Sequence, residues 1–391
     1  MSRFFRVLAI LACVSFILPA ASEFSNISKS GAVIIPGASI QALKTCGTKV
    51  FVIAELRNNR VFLHQIDAAT RKIEGTQVPN ATAPALLELP FLSDPKSLEL
   101  SPDCSTAYVP GFSDGNLYII NLLNKQIVQK IAVGKGSQDL ALSSTGKVFV
   151  VNSLDNEVAI VDLSTSSVKS KIPVGNVPTS IALYESGAYF RGFVTNFQDD
   201  SISVLDTFND REIRRIPSAG SRPFAIATAV HTMLGDLYAY YVTSVDDSLN
   251  RINITTLEID TPVSVGNTPR AVLLSNYAYT DPNGNIVQLI YTANSGVSDG
   301  RSGISLSLPA YIASSAERAE FHKTLSWGTS ELLDKATVVC LNSDKGTDLF
   351  PNPVTCGQAN ELWAANLANR GEIAIYDIKS MARELGVRPL E

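Results

Sequence analysis

Histidine is almost missing from this chain. Three occur among 391 residues, at 64, 231 and 322, and no two are close in sequence, so a multi-histidine metal site has nothing to be built from. Five cysteines include no Cys-x-x-Cys and no Cys-x-x-Cys-His, which excludes a redox pair and covalently attached haem. There is no Gly-x-Ser-x-Gly elbow, no His-Glu-x-x-His and no phosphate-binding Gly-x-x-x-x-Gly-Lys-Ser/Thr loop. Charge is spread out: 32 basic against 37 acidic residues, net −5, with no run of one sign, so the basic footprint of a nucleic-acid binder is lacking. Glycine (24) and proline (19) are ordinary in number, which excludes collagen-like and low-complexity readings. What is present is a 45% hydrophobic, 18% charged chain, enough for a large buried core and too apolar for disorder.

The first two dozen residues read as an address. Arg3 and Arg6 precede an apolar run at 7–18, and Pro-Ala-Ala-Ser at 19–22 supplies small residues for cleavage near Ala21 or Ser22. This is the layout of a secretory signal peptide, residues 1–22. As a helix, 12 residues reach only ~18 Å, short of a ~30 Å hydrocarbon core, so an anchor is the poorer reading. Ile-Leu-Ala before Cys13 faintly resembles a lipoprotein box, with bulky Leu11 against it. No later stretch reaches 18 uninterrupted apolar residues, so the mature chain is expected to be a secreted or periplasmic protein without a transmembrane segment. Cleavage leaves Cys46, Cys104, Cys340 and Cys356, an even number in an oxidising compartment. Two disulfides are expected, with three pairings open. Cys340 with Cys356 flank one loop, which leaves Cys46 with Cys104, and the reach between neighbouring sheets is the geometric concern. Sequons stand at Asn26, Asn80 and Asn253.

Self-comparison organises the rest. Val-Phe-Val-Val-Asn at 148–152 is followed by Val-Ala-Ile-Val-Asp at 158–162, Lys-Ile-Pro-Val-Gly at 171–175 and Pro-Thr-Ser-Ile-Ala-Leu at 178–183. The same order recurs from 107, from 192 and from 241, with the aligned aromatic residues Tyr108, Phe149, Phe193 and Tyr241 of successive copies 41, 44 and 48 residues apart. Four short β-rich runs per forty-odd residues make a propeller blade, which cannot bury both faces alone and must stack around an axis. The Asx residue closing each third run suits a turn. Weaker copies start at 50, 289 and 362, the first with an insertion near 79–94. The last copy stops at Asp377, and the Ile-Ile-Pro-Gly at 34–37 and Ile-Gln-Ala-Leu at 40–43 supply its missing half. The expected fold is therefore all-β: a seven-bladed β-propeller over residues 30–390, closed by N-terminal strands completing the C-terminal blade. An insertion at about 309–358 interrupts it, with a short Ser-capped helix over 314–324, an inner strand over 337–341 and a long loop over 344–358.

Phe-Val-Thr-Asn at 193–196, Phe-Val-Val-Asn at 149–152, Tyr-Val-Thr-Ser at 241–244 and the Ile-Pro-Val-Gly-x-x-Pro tract at 172–178 resemble the YVTN family of β-propeller repeats. That resemblance implies the propeller fold. It leaves function open, because relatives include surface-layer proteins, lactonase-like enzymes and the haem-d1 and quinoprotein amine-dehydrogenase propellers.

Period-2 parity along the innermost strands sorts Leu98, Leu100, Leu140, Leu142, Ile181, Leu183 and Ile226 into the core between blades. Gln41, Ser97, Glu99, Asp139, Ala141, Ser180, Ala182, Ala225 and Ala227 fall toward the axis. Glu99 and Asp139 then face the channel, solvated or paired with Lys96 or Arg270; they have room for a divalent cation and could work as acid and base. No cofactor is expected. Arg222 and Arg270 flank the inner-strand prolines and suit an anionic ligand, while Trp327, Phe321 and Phe350 lie in the insertion as partner anchors or as pins for that loop. Asp-Pro-Asn-Gly-Asn at 281–285 lacks the closing Glu of a calcium loop and reads as a hairpin turn. The expected protein is a monomeric binder of an envelope or extracellular protein or small molecule at the channel mouth. The rival is a lactonase-like hydrolase or lyase using the channel carboxylates.

Overall fold

In the computed structural model, residues 25–26, 29–90, 94–230, 237–274, 279–280, 286–287, 289–296, 303–309, 321–328, 333–340, 359–386 and 388–389 are described. Seven four-stranded antiparallel blades stand in a ring as a seven-bladed β-propeller, and the short strand Ser25–Asn26 adds a parallel fifth strand to the sixth blade. The third blade is the plainest: Ser137–Leu142, Lys147–Asn152, Glu157–Asp162 and Ser167–Pro173, paired in that order from the axis outward. Its second strand is buried at all six positions, because another blade covers each face, and so residues 148–151 are a continuous apolar run rather than an alternating one. The outermost strand alternates exposed and half-buried residues.

The core is divided into seven clusters, one between each pair of neighbouring blades. Tyr108, Leu117 and Ile131 of the second blade, for example, meet Leu140, Val148 and Val161 of the third. The cluster that closes the ring sets Trp363, Ile373 and Ile375 of the last blade against Val50, Val52 and Phe62 of the first.

Closure uses one N-terminal strand. Gly31–Ile34 pairs antiparallel with Glu372–Asp377 as the outermost strand of the seventh blade, with Val33 opposite Ile373. The Ile35 amide donates to the Gly371 carbonyl at 2.8 Å, and Gly371 has φ +80°, where an added Cβ would lie 1.9 Å from the Ile35 oxygen. Lys29 is ion-paired with Glu372, and Arg71 of the first blade reaches Glu361 of the seventh at 2.6 Å. Ala38–Cys46, expected in the last blade, is instead the inner strand of the first, because it is hydrogen-bonded along its length to Lys49–Leu56. The inner strand of the seventh blade is Leu333–Cys340.

Three more elements differ from expectation. Phe321–Gly328 is the outer strand of the sixth blade, not the end of a helix, since its backbone pairs with Gly303–Pro309; residues 310–320 lie outside the described residues. The 79–94 insertion splits the outer strand of the first blade, with Lys72–Glu74 pairing one half of Val61–Asp67 and Leu87–Leu89 the other. After Asp377 the chain forms a helix, Ile378–Leu385, which sets Met381, Ala382 and Leu385 into the core between the sixth and seventh blades.

Cys46 and Cys104 form a disulfide between the first and second blades, with Cα atoms 5.9 Å apart. That distance lies within reach of a bridge. Cys356 and the Cys340 side chain lie outside the described residues, as do the signal-like segment 1–22 and the turn at 281–285, whose flanking residues Thr280 and Ile286 are paired. His64 is buried with Nδ1 2.7 Å from the Pro84 carbonyl, and burial holds its pKa below the usual value. Among the described residues no helix is long and apolar enough to cross a membrane.

Candidate functional site

The inner strands begin at the same end of the ring, and the crossings that lead into the fourth, fifth and sixth blades each carry a strained residue. Val177, Arg222 and Thr268 occupy equivalent positions with φ of 51°, 56° and 50°. For β-branched Val and Thr this left-handed backbone is costly. Tandem Asx residues in the turn between the second and third strands hold it in place. Asn156 accepts from the Val177 amide at 2.9 Å, Asp200 from Arg222 at 2.6 Å and Asp247 from Thr268 at 2.7 Å. Their predecessors cap the incoming crossing: Asp155 accepts from the Lys135 amide at 2.8 Å and Asp199 from Asn176 at 2.7 Å. The Asx residues closing the third strands are turn acceptors as well, Asp162 for Ser164 and Asp206 for Phe208 and Asn209.

Immediately after the crossing the inner strand is bulged in every blade but the second. The extra residue is Gln41, Gln138, Thr179, Phe224 or Arg270, and in the seventh blade the irregularity spans Leu333 to Ala336. Beyond the bulges the strands enclose a central cavity of about 500 Å³. The expected parity holds in most blades. Leu98, Leu100, Leu140, Ile181 and Ile226 are buried between blades, while Ser97, Glu99, Asp139, Ala141, Ser180 and Ala225 are half-buried and line the cavity. Gln41 is one residue out of register. It is the bulge residue, its Nε2 donates to Glu55 at 2.7 Å, and Ala42 and Lys44 line the cavity instead.

The two channel carboxylates are engaged by neighbouring blades. Asp139 accepts from Ser97 Oγ at 2.7 Å, from Ser180 Oγ at 2.8 Å and from the Ile181 amide at 3.1 Å, stitching three blades together. Glu99 is paired with Lys44 at 2.6 Å, not with Lys96 or Arg270. Burial pulls the Lys44 pKa down, but Glu99, with Asp139 behind it, outweighs this and holds it above the usual lysine value. Lys96 pairs with Asp94 at 2.6 Å and sits over the Phe112 ring. Among the described residues no three His, Cys, Asp or Glu come together as metal ligands. Asp139→Ala would leave two hydroxyls and an amide without their acceptor. The expected cost is about 2–3 kcal/mol, read as a lower urea midpoint with an unchanged slope.

The mouth at the bulged end is aromatic and cationic. Arg270 lies over Phe224 at 4.6 Å, Phe224 meets Phe197 edge-on at 6.1 Å, and exposed Arg222 covers Phe197 at 5.3 Å. Around them the turns joining second to third strands present half-buried Phe112 and exposed Leu154, Val245 and Leu367, at 64%, 56% and 49% exposure. Composition alone did not reveal this ring of turns; the signal was an apolar residue one or two places after five of the seven second-strand motifs. Trp327 falls on the fourth strand of the sixth blade, opposite Ser25 of the short parallel strand Ser25–Asn26 that covers its outer side, and so at the perimeter and away from the channel. Phe350 lies outside the described residues.

No family model and no curated protein sequence matches the chain. Solved structures do. A chain of the mitotic checkpoint complex superposes with TM-score 0.64 at 12% identity, covering 95% of this chain and 98% of that one. Virginiamycin B lyase from Staphylococcus aureus gives 0.56 at 14%, covering 88% and 98%. Hydrazine synthase from Kuenenia stuttgartiensis gives 0.50 at 17%, covering 80% and 83%. At these identities the likeness is one of fold, and the class it defines is the β-propeller.

Proposed function

We propose that this protein is an exported, non-catalytic recognition module of the YVTN-repeat kind, which binds an extracellular or envelope partner at the bulged mouth of its channel. The observation that carries the reading is the ring of apolar side chains at equivalent turns of five blades: Phe112, Leu154, Phe197, Val245 and Leu367. Apolar groups recurring around a concavity, with arginines among them, have the make-up of an interface centre. The disulfide and the signal-like leader support export. A hydrolase or lyase using Glu99 and Asp139 is the weaker reading, because both carboxylates are already held by Lys44, Ser97 and Ser180.

The test is selection of peptides from a displayed library on the immobilised protein, followed by affinity measurement on variants. Leu154→Asp and Val245→Asp are expected to weaken the selected ligands at least tenfold each. Leu123→Asp is expected to leave them unchanged, since Leu123 is 80% exposed on a turn of the opposite face. Equal affinities across all three variants would remove the mouth from consideration.

A further inference from the structure

After the pairings inside the channel are made, its two walls differ. On the side of the first four blades every charge is answered: Lys44 by Glu99, Lys96 by Asp94, and Asp139 by two serines and an amide. On the opposite side stand Arg270 of the sixth blade and Lys335 of the seventh, both half-buried and both lining the cavity. Neither has an acidic partner among the described residues. Arg270 occupies the bulge, and Lys335 lies one position deeper on the neighbouring inner strand, judged from the equivalent pairings of Pro269 with Asn294 and Leu333 with Asn366. The Phe224 ring fixes the guanidinium at 4.6 Å without using its donors. Beside these cations the wall is apolar, formed by Phe224, Ala225, Ala271 and Leu273.

We propose that this side of the channel is a binding site for a small organic anion with a flat apolar body. Its carboxylate or phosphate would sit between Arg270 and Lys335, and its body would lie along Phe224 and the alanines. A planar guanidinium held by a ring is preorganised for a two-point contact with such a headgroup, and Lys335 adds a point charge. A cavity of about 500 Å³ accepts a ligand of two or three rings. The proposal deepens the recognition reading by giving the channel its own ligand class, below the apolar ring.

The probe is 8-anilinonaphthalene-1-sulfonate, titrated by fluorescence into the oxidised protein, with its uncharged relative N-phenyl-1-naphthylamine alongside. The expected result is saturable binding of one sulfonate probe per chain, weakened about tenfold by Arg270→Gln and again by Lys335→Gln. Lys335→Arg and the Leu154→Asp variant should retain it, and raising the salt should weaken it. Displacement by 2-naphthoate or by 2-naphthyl phosphate identifies the headgroup. The charge-removing variants break no ion pair among the described residues; Arg270→Gln gives up only the stacking on Phe224, and matching melting curves certify that the fold is kept. Equal binding by the neutral probe, indifference to both glutamine variants, or no displacement by either anion would overturn the proposal. Peptide affinities indifferent to the turn variants, with the anion site intact, would instead count only against the mouth reading.

Discussion

A chain that starts at Gly37 is expected to lose cooperative folding and to aggregate. The deletion removes Gly31–Ile34 from the seventh blade and takes Val33 and Ile35, 4% and 0% exposed, out of the cluster that joins that blade to the first. Burying two such side chains contributes about 3–6 kcal/mol, before the ladder hydrogen bonds are counted. Whole domains are stable by only ~5–15 kcal/mol. The loss also exposes Glu372–Asp377, an apolar Ile-Ala-Ile-Tyr strand, as an unprotected edge. Circular dichroism melts check this, and a synthetic peptide of residues 25–37 added in trans should restore a sigmoidal transition. A truncated chain that melts like the longer one would contradict closure by this strand.

Reducing the Cys46–Cys104 disulfide is expected to destabilise the protein by about 4 kcal/mol. The bond closes a loop with a sequence separation of 58, and the chain-entropy relation gives that value for such a length. It joins the ends of adjacent inner strands where Glu99–Leu100 is only two residues long, so little backbone pairing replaces it there. With unfolding entropy near ~2.1 cal/mol/K per residue, the melting temperature should fall by about 5 °C. The double variant Cys46→Ser, Cys104→Ser should show the same drop and no response to reductant. A reductant-insensitive wild type would mean that the bridge does not form.

The blades were legible because each repeat writes the same physical demands in the same order: a doubly buried strand, an Asx turn and a proline at the inner-strand start. The channel was less so. Period-2 parity runs straight through Gln41, whereas the bulge absorbs one residue there, so it gives no sign that Lys44 reaches the channel, and Glu99 is assigned the wrong partners. The terminal helix had a readable signal in Ile378, Met381, Ala382 and Leu385, spaced i, i+3, i+4, i+7. Phe321–Gly328 was misread because the helix-compatible Ala-Glu-Arg-Ala-Glu run just before it was extended into a segment that alternates as a strand. The tandem Asx pairs were visible as Asp155-Asn156, Asp199-Asp200 and Asp246-Asp247, but only the structure shows that they hold left-handed residues of the crossings. Which faces are bare depends on three-dimensional covering, and no one-dimensional pattern carries that.

Site-specific photocrosslinking in the cell that makes the protein tests the recognition reading most directly. Benzoylphenylalanine would replace Leu154 or Val245 at the mouth, and Leu123 or Phe208 on the opposite face, all four exposed by more than half. The account predicts that both mouth positions yield adducts with the same partner and that neither opposite position does. Adducts confined to Leu123 and Phe208, with the mouth positions silent in a folded protein, would contradict it.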